Sequence, residues 1–194
     1  MSLAVCLICL LLVPFAFGGL ALIQQGLGRS RSAAHAMLGT LCAIAVSAIA
    51  FVLIGSAWAG YPGGPMHSFF AGGVRWNWLG AGPFWGRVAA DGALYPSLVL
   101  CLQVFAVALA AIIPVSTGND RWRLRAICAS SALFACVLFP LFAHWVWGGG
   151  WLSQLQNSFG LPPFLDTGGA GVIQVVGGLA ALSIAWLLGP RQGK

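Results

Sequence analysis

Five long stretches of apolar residues divide the chain. They cover approximately residues 3–27, 34–59, 94–116, 124–147 and 169–188. Each stretch can cross the hydrocarbon core of a bilayer as a helix, which takes about 20 residues. A helix satisfies its own backbone hydrogen-bonding groups, as a lipid environment requires. The pattern therefore predicts an all-α membrane protein, a single domain built as a bundle of five transmembrane helices.

The composition agrees with burial in lipid. Of the 194 residues, 60% are hydrophobic and only 6% are charged, whereas a soluble domain carries about 25% charged residues. The net charge of +6 would suggest nucleic-acid binding in a soluble protein. In a membrane protein we assign the basic residues to topology, so the bilayer is the expected partner and nucleic acid is not.

The basic residues predict the orientation of the bundle. Seven of the nine lie at one end of it: Arg29, Arg31, Arg121, Arg123, Arg125, Arg191 and Lys194. The other two, Arg75 and Arg87, lie at the opposite end. Because positively charged loops remain in the cytoplasm, we expect the N-terminus outside and the C-terminus in the cytoplasm. The expected location is a bacterial inner membrane, which the chain crosses several times.

The segment 60–93, between the second and third spans, is rich in Gly and Pro and carries Trp76, Trp78 and Trp85. Tryptophan prefers the boundary between membrane and water. We therefore expect an extracytoplasmic cap that is folded onto the bundle. Binding of an external partner is the alternative interpretation of this loop.

Small residues and prolines predict where helices meet and bend. Small side chains at helical spacing allow close approach of helix backbones in lipid. Two such faces occur, the first on the second span and the other on the fifth: Ala36, Thr40, Ala43, Ser47 and Ala50; Gly177, Ala181 and Ala185. Pro14 and Pro140 lie within spans and predict kinks.

The sequence offers little support for catalysis or metal binding. All six cysteines lie in apolar spans, and Cys6-x-x-Cys9 has no second pair or nearby histidine to complete a metal site. The spacing of the three histidines does not suggest metal coordination. Phosphate-binding glycine loops, nucleophile elbows and carboxylate pairs are missing from the sequence. We expect no enzymatic activity, no cofactor and no metal.

Two residues at the start and end of spans are candidates for a binding role. Asp166 precedes the fifth span, where a carboxylate can cap the helix, and its charge can also attract a cation. Trp147 ends the fourth span, where it is either an interfacial tryptophan or one wall of a cation site.

Several short motifs, taken in order, resemble the ammonium transporter (Amt/Mep/Rh) family. They are Gly19–Arg29, Gly55–Gly60, Asp120–Arg123, Trp147–Gly150 and Asp166–Gly169. The last two are the most specific, a Trp-Gly-Gly-Gly and an Asp-x-x-Gly-Gly pattern. The resemblance covers nearly the whole chain and implies the N-terminal half, helices one to five, of a fold with two inverted halves and a pore between them.

The resemblance also implies roles for individual residues. Trp147 matches the tryptophan of the family's outer ammonium recruitment site, and Asp166 matches an aspartate that is needed structurally near that site. Gln174 occupies the position of the first pore histidine, which is eight residues after the aspartate. Histidine can hold or relay a proton near neutral pH, whereas the glutamine amide cannot.

The gate positions that the family implies on the third helix are altered as well. Gln103 matches a glutamine that is flanked in the family by two gate phenylalanines. Here those two positions hold Leu102 and Ala106. Phe105 is one residue out of step, which turns its side chain by about 100° around the helix.

Two functions are compatible with these observations. The first is an ammonium transporter-like membrane protein of half size, part of a split channel or a degenerate relative, that does not conduct ammonium or ammonia as an isolated chain. The second is a non-transporting structural or accessory subunit of a larger membrane complex. Both imply partner membrane subunits or an oligomer.

Overall fold

The computed structural model describes residues 3–27, 33–87, 94–118 and 121–189. These residues form five helices that are long and apolar enough to cross a membrane. The helices are α1 (Leu3–Leu27), α2 (Ala33–Ala59), α3 (Leu94–Gly118), α4 (Leu124–Val146) and α5 (Ala170–Leu188). The prediction of a five-helix membrane bundle is confirmed. Parts of the predicted topology signals and motifs lie outside the described residues: Gly28, Arg29, Arg31, 88–93, Asp120, Arg191 and Lys194.

Helix α3 occupies the centre of the bundle and contacts the other four membrane helices. On α2, the predicted small face is buried at Ala36, Thr40, Ala43 and Ser47. On α5, a Cβ atom added at Gly177 would lie 3.0 Å from a backbone oxygen of α3, so the two helices are in close contact there. Small residues thus allow α3 to pack closely, as lipid-embedded helices require.

Within the described residues, three π-helical turns interrupt the membrane helices. They are Phe51–Gly55 in α2, Phe134–Leu138 in α4 and Ala170–Val175 at the start of α5. The turn in α4 ends just before Pro140, which has no N–H to donate to the preceding turn. A π-turn widens the helix by one residue and changes the direction of the side chains that follow. The apolar pattern of the sequence did not predict these π-turns.

A β-hairpin lies between α2 and α3. Its strands, β1 (Met66–Ala71) and β2 (Val74–Gly80), are antiparallel. The two-residue turn Gly72–Gly73 has positive φ at both residues, which glycine adopts without strain. The hairpin packs on the ends of α2 and α4.

Tryptophans attach the hairpin to α4. The rings of Trp78 and Trp145 have centroids 4.9 Å apart. The Trp145 Nε1–H also donates a hydrogen bond to the Trp78 carbonyl oxygen at 2.9 Å. The loop that was expected to cover the bundle therefore contains a folded hairpin held by aromatic contacts.

Candidate functional site

Helix α4 ends in a glycine-rich turn that brings it very close to the end of α2. Gly149 has a φ of +87°. A Cβ atom added at Gly148 would collide with the Ala59 carbonyl oxygen and lie 2.7 Å from His144 Nδ1. The Trp147–Gly150 motif therefore serves close backbone packing at this end of the bundle.

The last carbonyl groups of α2 are satisfied by side chains from two other helices. His144 on α4 has its Nδ1 3.1 Å from the Ala59 carbonyl oxygen. Because a carbonyl only accepts hydrogen bonds, the proton of His144 is on Nδ1. Gln103 on α3 donates from Nε2 to the Gly60 carbonyl oxygen at 3.0 Å. These bonds compensate the carbonyl groups that a helix C-terminus leaves unpaired.

The role of His144 was not identified from the sequence, which only suggested that it was no metal ligand. The side chain is fully buried, with a relative exposure of 0%. Its Nε2 has no hydrogen-bond partner among the described residues. The sequence feature that could have indicated this role is a histidine inside an apolar span, one turn before the glycine triplet.

Asp166 caps α5 from a distance of several residues. Its Oδ2 accepts hydrogen bonds from the backbone N–H groups of Gly171 at 2.9 Å and Val172 at 2.8 Å. Gly169, with a φ of +74°, occupies the residue position just before the helix. The carboxylate also lies at the positive end of the helix dipole. These hydrogen bonds agree with the capping role considered for Asp166. The residue just before the helix, however, is Gly169 and not Asp166.

Trp147 and Asp166 are joined directly. The Trp147 Nε1–H donates to the Asp166 carbonyl oxygen at 2.7 Å. The indole also packs against the ring of Phe139 in a T-shaped arrangement, at a centroid distance of 6.4 Å. Because an indole N–H only donates hydrogen bonds, a cation bound at Trp147 would interact with the π-face of the ring.

The structure separates the residues at the gate positions. Gln103 is buried and engaged with Gly60, as described above. Ala106 packs against the main apolar core, and Leu102 is half-buried. Phe105 instead stacks on Phe17 of α1, with ring centroids 6.0 Å apart. Phe105 therefore faces away from the positions that it would have to replace.

Gln174 lies in the π-turn that opens α5, and its side chain is exposed. Its backbone N–H donates to the Gly169 carbonyl oxygen at 3.1 Å. The structure does not link the Gln174 side chain to the Trp147–Asp166 pair by a hydrogen bond. Within the described part of the chain, no group of three or more His, Cys, Asp or Glu residues could hold a metal ion.

Comparison with known proteins identifies the family. The model of the Ammonium Transporter Family matches residues 4–194. The chain belongs to the ammonium transporter family. This result confirms the resemblance carried by the glycine and tryptophan motifs. With five membrane-length helices, the chain is an integral multi-pass membrane protein.

Similar proteins are named as ammonium transporters. The chain is 32% identical to ammonium transporter Amt2 of Archaeoglobus fulgidus, covering 97% of this chain and 38% of the relative. It is also 32% identical to an ammonium transporter of Bacillus subtilis, covering 95% of this chain and 43% of the relative. The chain thus spans about two fifths of the length of these relatives. No solved structure gives a significant match. These names describe transporters rather than enzymes.

Proposed function

We propose that this ammonium transporter-family chain provides the outer part of an ammonium route, where a cation is recruited before it is conducted. The hydrogen bond between Trp147 Nε1 and the Asp166 carbonyl oxygen supports the proposal most directly. It holds the indole next to the loop whose Asp166 carboxylate caps α5. An indole face attracts ammonium-like cations. The carboxylate adds a negative charge close to it.

The chain by itself is proposed not to conduct. The exposed Gln174 amide cannot take up or release a proton near neutral pH. Leu102 and Ala106 do not provide the aromatic rings of the family's gate. A closed path also requires a second wall over the exposed side of α5, which we propose is supplied by another membrane subunit.

A specific observation favours a second candidate function, that of a structural or accessory subunit. Gln103 and His144, two buried polar residues, are both used to cap the end of α2. Gln103, which the resemblance places beside the gate positions, therefore maintains the fold. In an accessory subunit, the outer surface would bind protein rather than ammonium.

Flux measurements in liposomes test the first proposal. The purified chain alone should show only background uptake of methylammonium. Addition of the partner that co-purifies from native membranes should produce uptake, and Trp147→Leu should reduce it while Trp186→Leu should not. Trp186 is the matched control because it is 84% exposed on α5. Co-purification with a complex that shows no uptake would favour the accessory subunit instead.

The proposed orientation, with the hairpin outside and the C-terminus in the cytoplasm of a bacterial inner membrane, has its own test. A reporter fused after Lys194 should report the cytoplasm, and one inserted in Gly63–Gly73 should report the outside. The opposite result at both sites would reverse the orientation.

A further inference from the structure

A cavity of about 340 Å³ lies between α3, α4 and α5, far from the Trp147–Asp166 pair along the helices. It is partly open at one side. The lining comes from all three helices and from Trp122, which precedes α4. Representative lining residues are Pro114, Trp122, Phe134, Leu138, Ala180 and Ile184. This volume falls in the range of small-molecule binding sites.

The cavity wall is largely apolar, although serines contribute to it. Ser130 Oγ donates to the Ile127 carbonyl oxygen at 3.0 Å, and Ser183 Oγ donates to the Leu179 carbonyl oxygen at 2.9 Å. The Ser131 hydroxyl is buried and makes no hydrogen bond to the described residues, so it is an unpaired polar group in the wall. The wall therefore offers hydrocarbon and few hydrogen-bonding groups. Such a cavity does not stabilise water, and a flexible hydrocarbon chain suits it.

The cavity lies beside the arginine-rich end of the bundle. Arg121 Nη1 donates to the carbonyl oxygens of Leu188 at 3.2 Å and Gly189 at 2.8 Å, which joins the start of α4 to the end of α5. Arg123 and Arg125 are exposed and follow Trp122 directly in the chain. Between residues 120 and 125 the sequence contains three arginines and one acidic residue, Asp120.

We propose that this cavity binds an acyl chain of an anionic phospholipid whose phosphate lies against Arg123 and Arg125. The apolar wall selects the hydrocarbon. The guanidinium groups select the anionic headgroup, because they bind phosphate with parallel, charge-assisted hydrogen bonds. Basic residues next to the membrane attract anionic lipids in general. The cavity adds a specific binding site for the acyl chain.

Thermal unfolding of the purified full-length chain in detergent tests the site. Phosphatidylglycerol should raise the melting temperature more than phosphatidylcholine with the same acyl chains, and inorganic phosphate should have no effect. A ligand that binds only the folded state stabilises it, and at equal concentration a tighter ligand stabilises it more. Equal shifts with the two lipids, or a shift with phosphate alone, would overturn the proposal.

Two sets of variants separate the headgroup from the acyl chain. In Arg123→Gln/Arg125→Gln, the same rise in melting temperature should require a roughly thirtyfold higher concentration of phosphatidylglycerol, whereas Arg75→Gln on the hairpin should match wild type. Ala180→Leu should fill the cavity and abolish stabilisation by either lipid. Leu182→Phe is its control, because Leu182 lies on the same helix and its side chain is 61% exposed.

Native mass spectrometry of the wild-type chain covers the case in which Ala180→Leu does not fold. It should retain phosphatidylglycerol in preference to phosphatidylcholine, and Arg123→Gln/Arg125→Gln should lose that preference. A preference that persists in this variant would refute the assigned site. If a co-purifying membrane helix covers the cavity and no lipid is bound, the phospholipid is not the occupant and the proposal is refuted.

Discussion

The end of α4 at Trp147, called the outer end after the proposed orientation, and the first half of α5 differ in how completely this chain surrounds them. At the outer end, side chains from several helices satisfy the backbone: His144 and Gln103 bind α2, and Trp147 binds the Asp166 loop. In α5, by contrast, Gln174 and Leu179 are exposed. The outer end is thus a self-sufficient unit within these five helices.

This difference explains which family features are kept. The Trp147–Asp166 pair and the glycine triplet stabilise the bundle itself, so their loss would affect folding as well as any cation. Gln174, at the position that the resemblance implies for a pore histidine, has an exposed side chain that makes no hydrogen bond to the described residues. A family motif kept in the sequence is therefore evidence of a shared framework before it is evidence of transport.

The largest effect is expected at Gly148. Gly148→Ala should lower the free energy of unfolding by about 3 kcal/mol, because its Cβ would collide with the end of α2 in a packed region that cannot yield. Gly168→Ala, where no atom lies within 4 Å of the added Cβ, is the matched control. Thermal unfolding in detergent measures both. Equal stability of the two variants would show that the outer end is less tightly packed than described.

A smaller loss is expected at Asp166. Asp166→Ala leaves two backbone N–H groups of α5 without their acceptor and should destabilise the chain by about 2 kcal/mol. Asp166→Asn should be milder because its amide oxygen can also cap. Thr167→Ala is the control, since Thr167 is exposed. If Asn proves as damaging as Ala in the melting temperature, the charge matters more than the cap.

The link between the two loops is expected to contribute less again. Trp147→Phe removes the N–H group that binds the Asp166 carbonyl oxygen and should cost about 1 kcal/mol. Trp186→Phe, at an exposed tryptophan, should leave the melting temperature unchanged. Identical melting curves for both variants would remove this hydrogen bond from the account of the outer end.

The smallest effect is expected in the first half of α5. Gln174→His should change neither the melting temperature nor methylammonium flux in liposomes that contain the chain alone. The side chain is exposed, and one residue does not build the second wall proposed above or the gate at Leu102 and Ala106. Ammonium-dependent current from either form would place the isolated chain among working transporters.

Sequence alone was sufficient for the five membrane helices and for a capping role of Asp166. Both depend on local features: the length of an apolar stretch decides whether a helix can span lipid, and a carboxylate before a helix meets free N–H groups. The same holds for the small face of α2, because helical spacing places Ala36, Thr40 and Ala43 on one side.

Tertiary structure alone decided what those helices do to one another. The pairing of His144 with Ala59 and of Gln103 with Gly60 joins residues that are distant in sequence, so no local pattern contains it. Phe105 stacks on Phe17 because of where α1 packs. The cavity beside Trp122 exists only where α3, α4 and α5 meet. Local chemistry determines each helix, whereas caps, ring contacts and cavities depend on which neighbours the packed bundle provides.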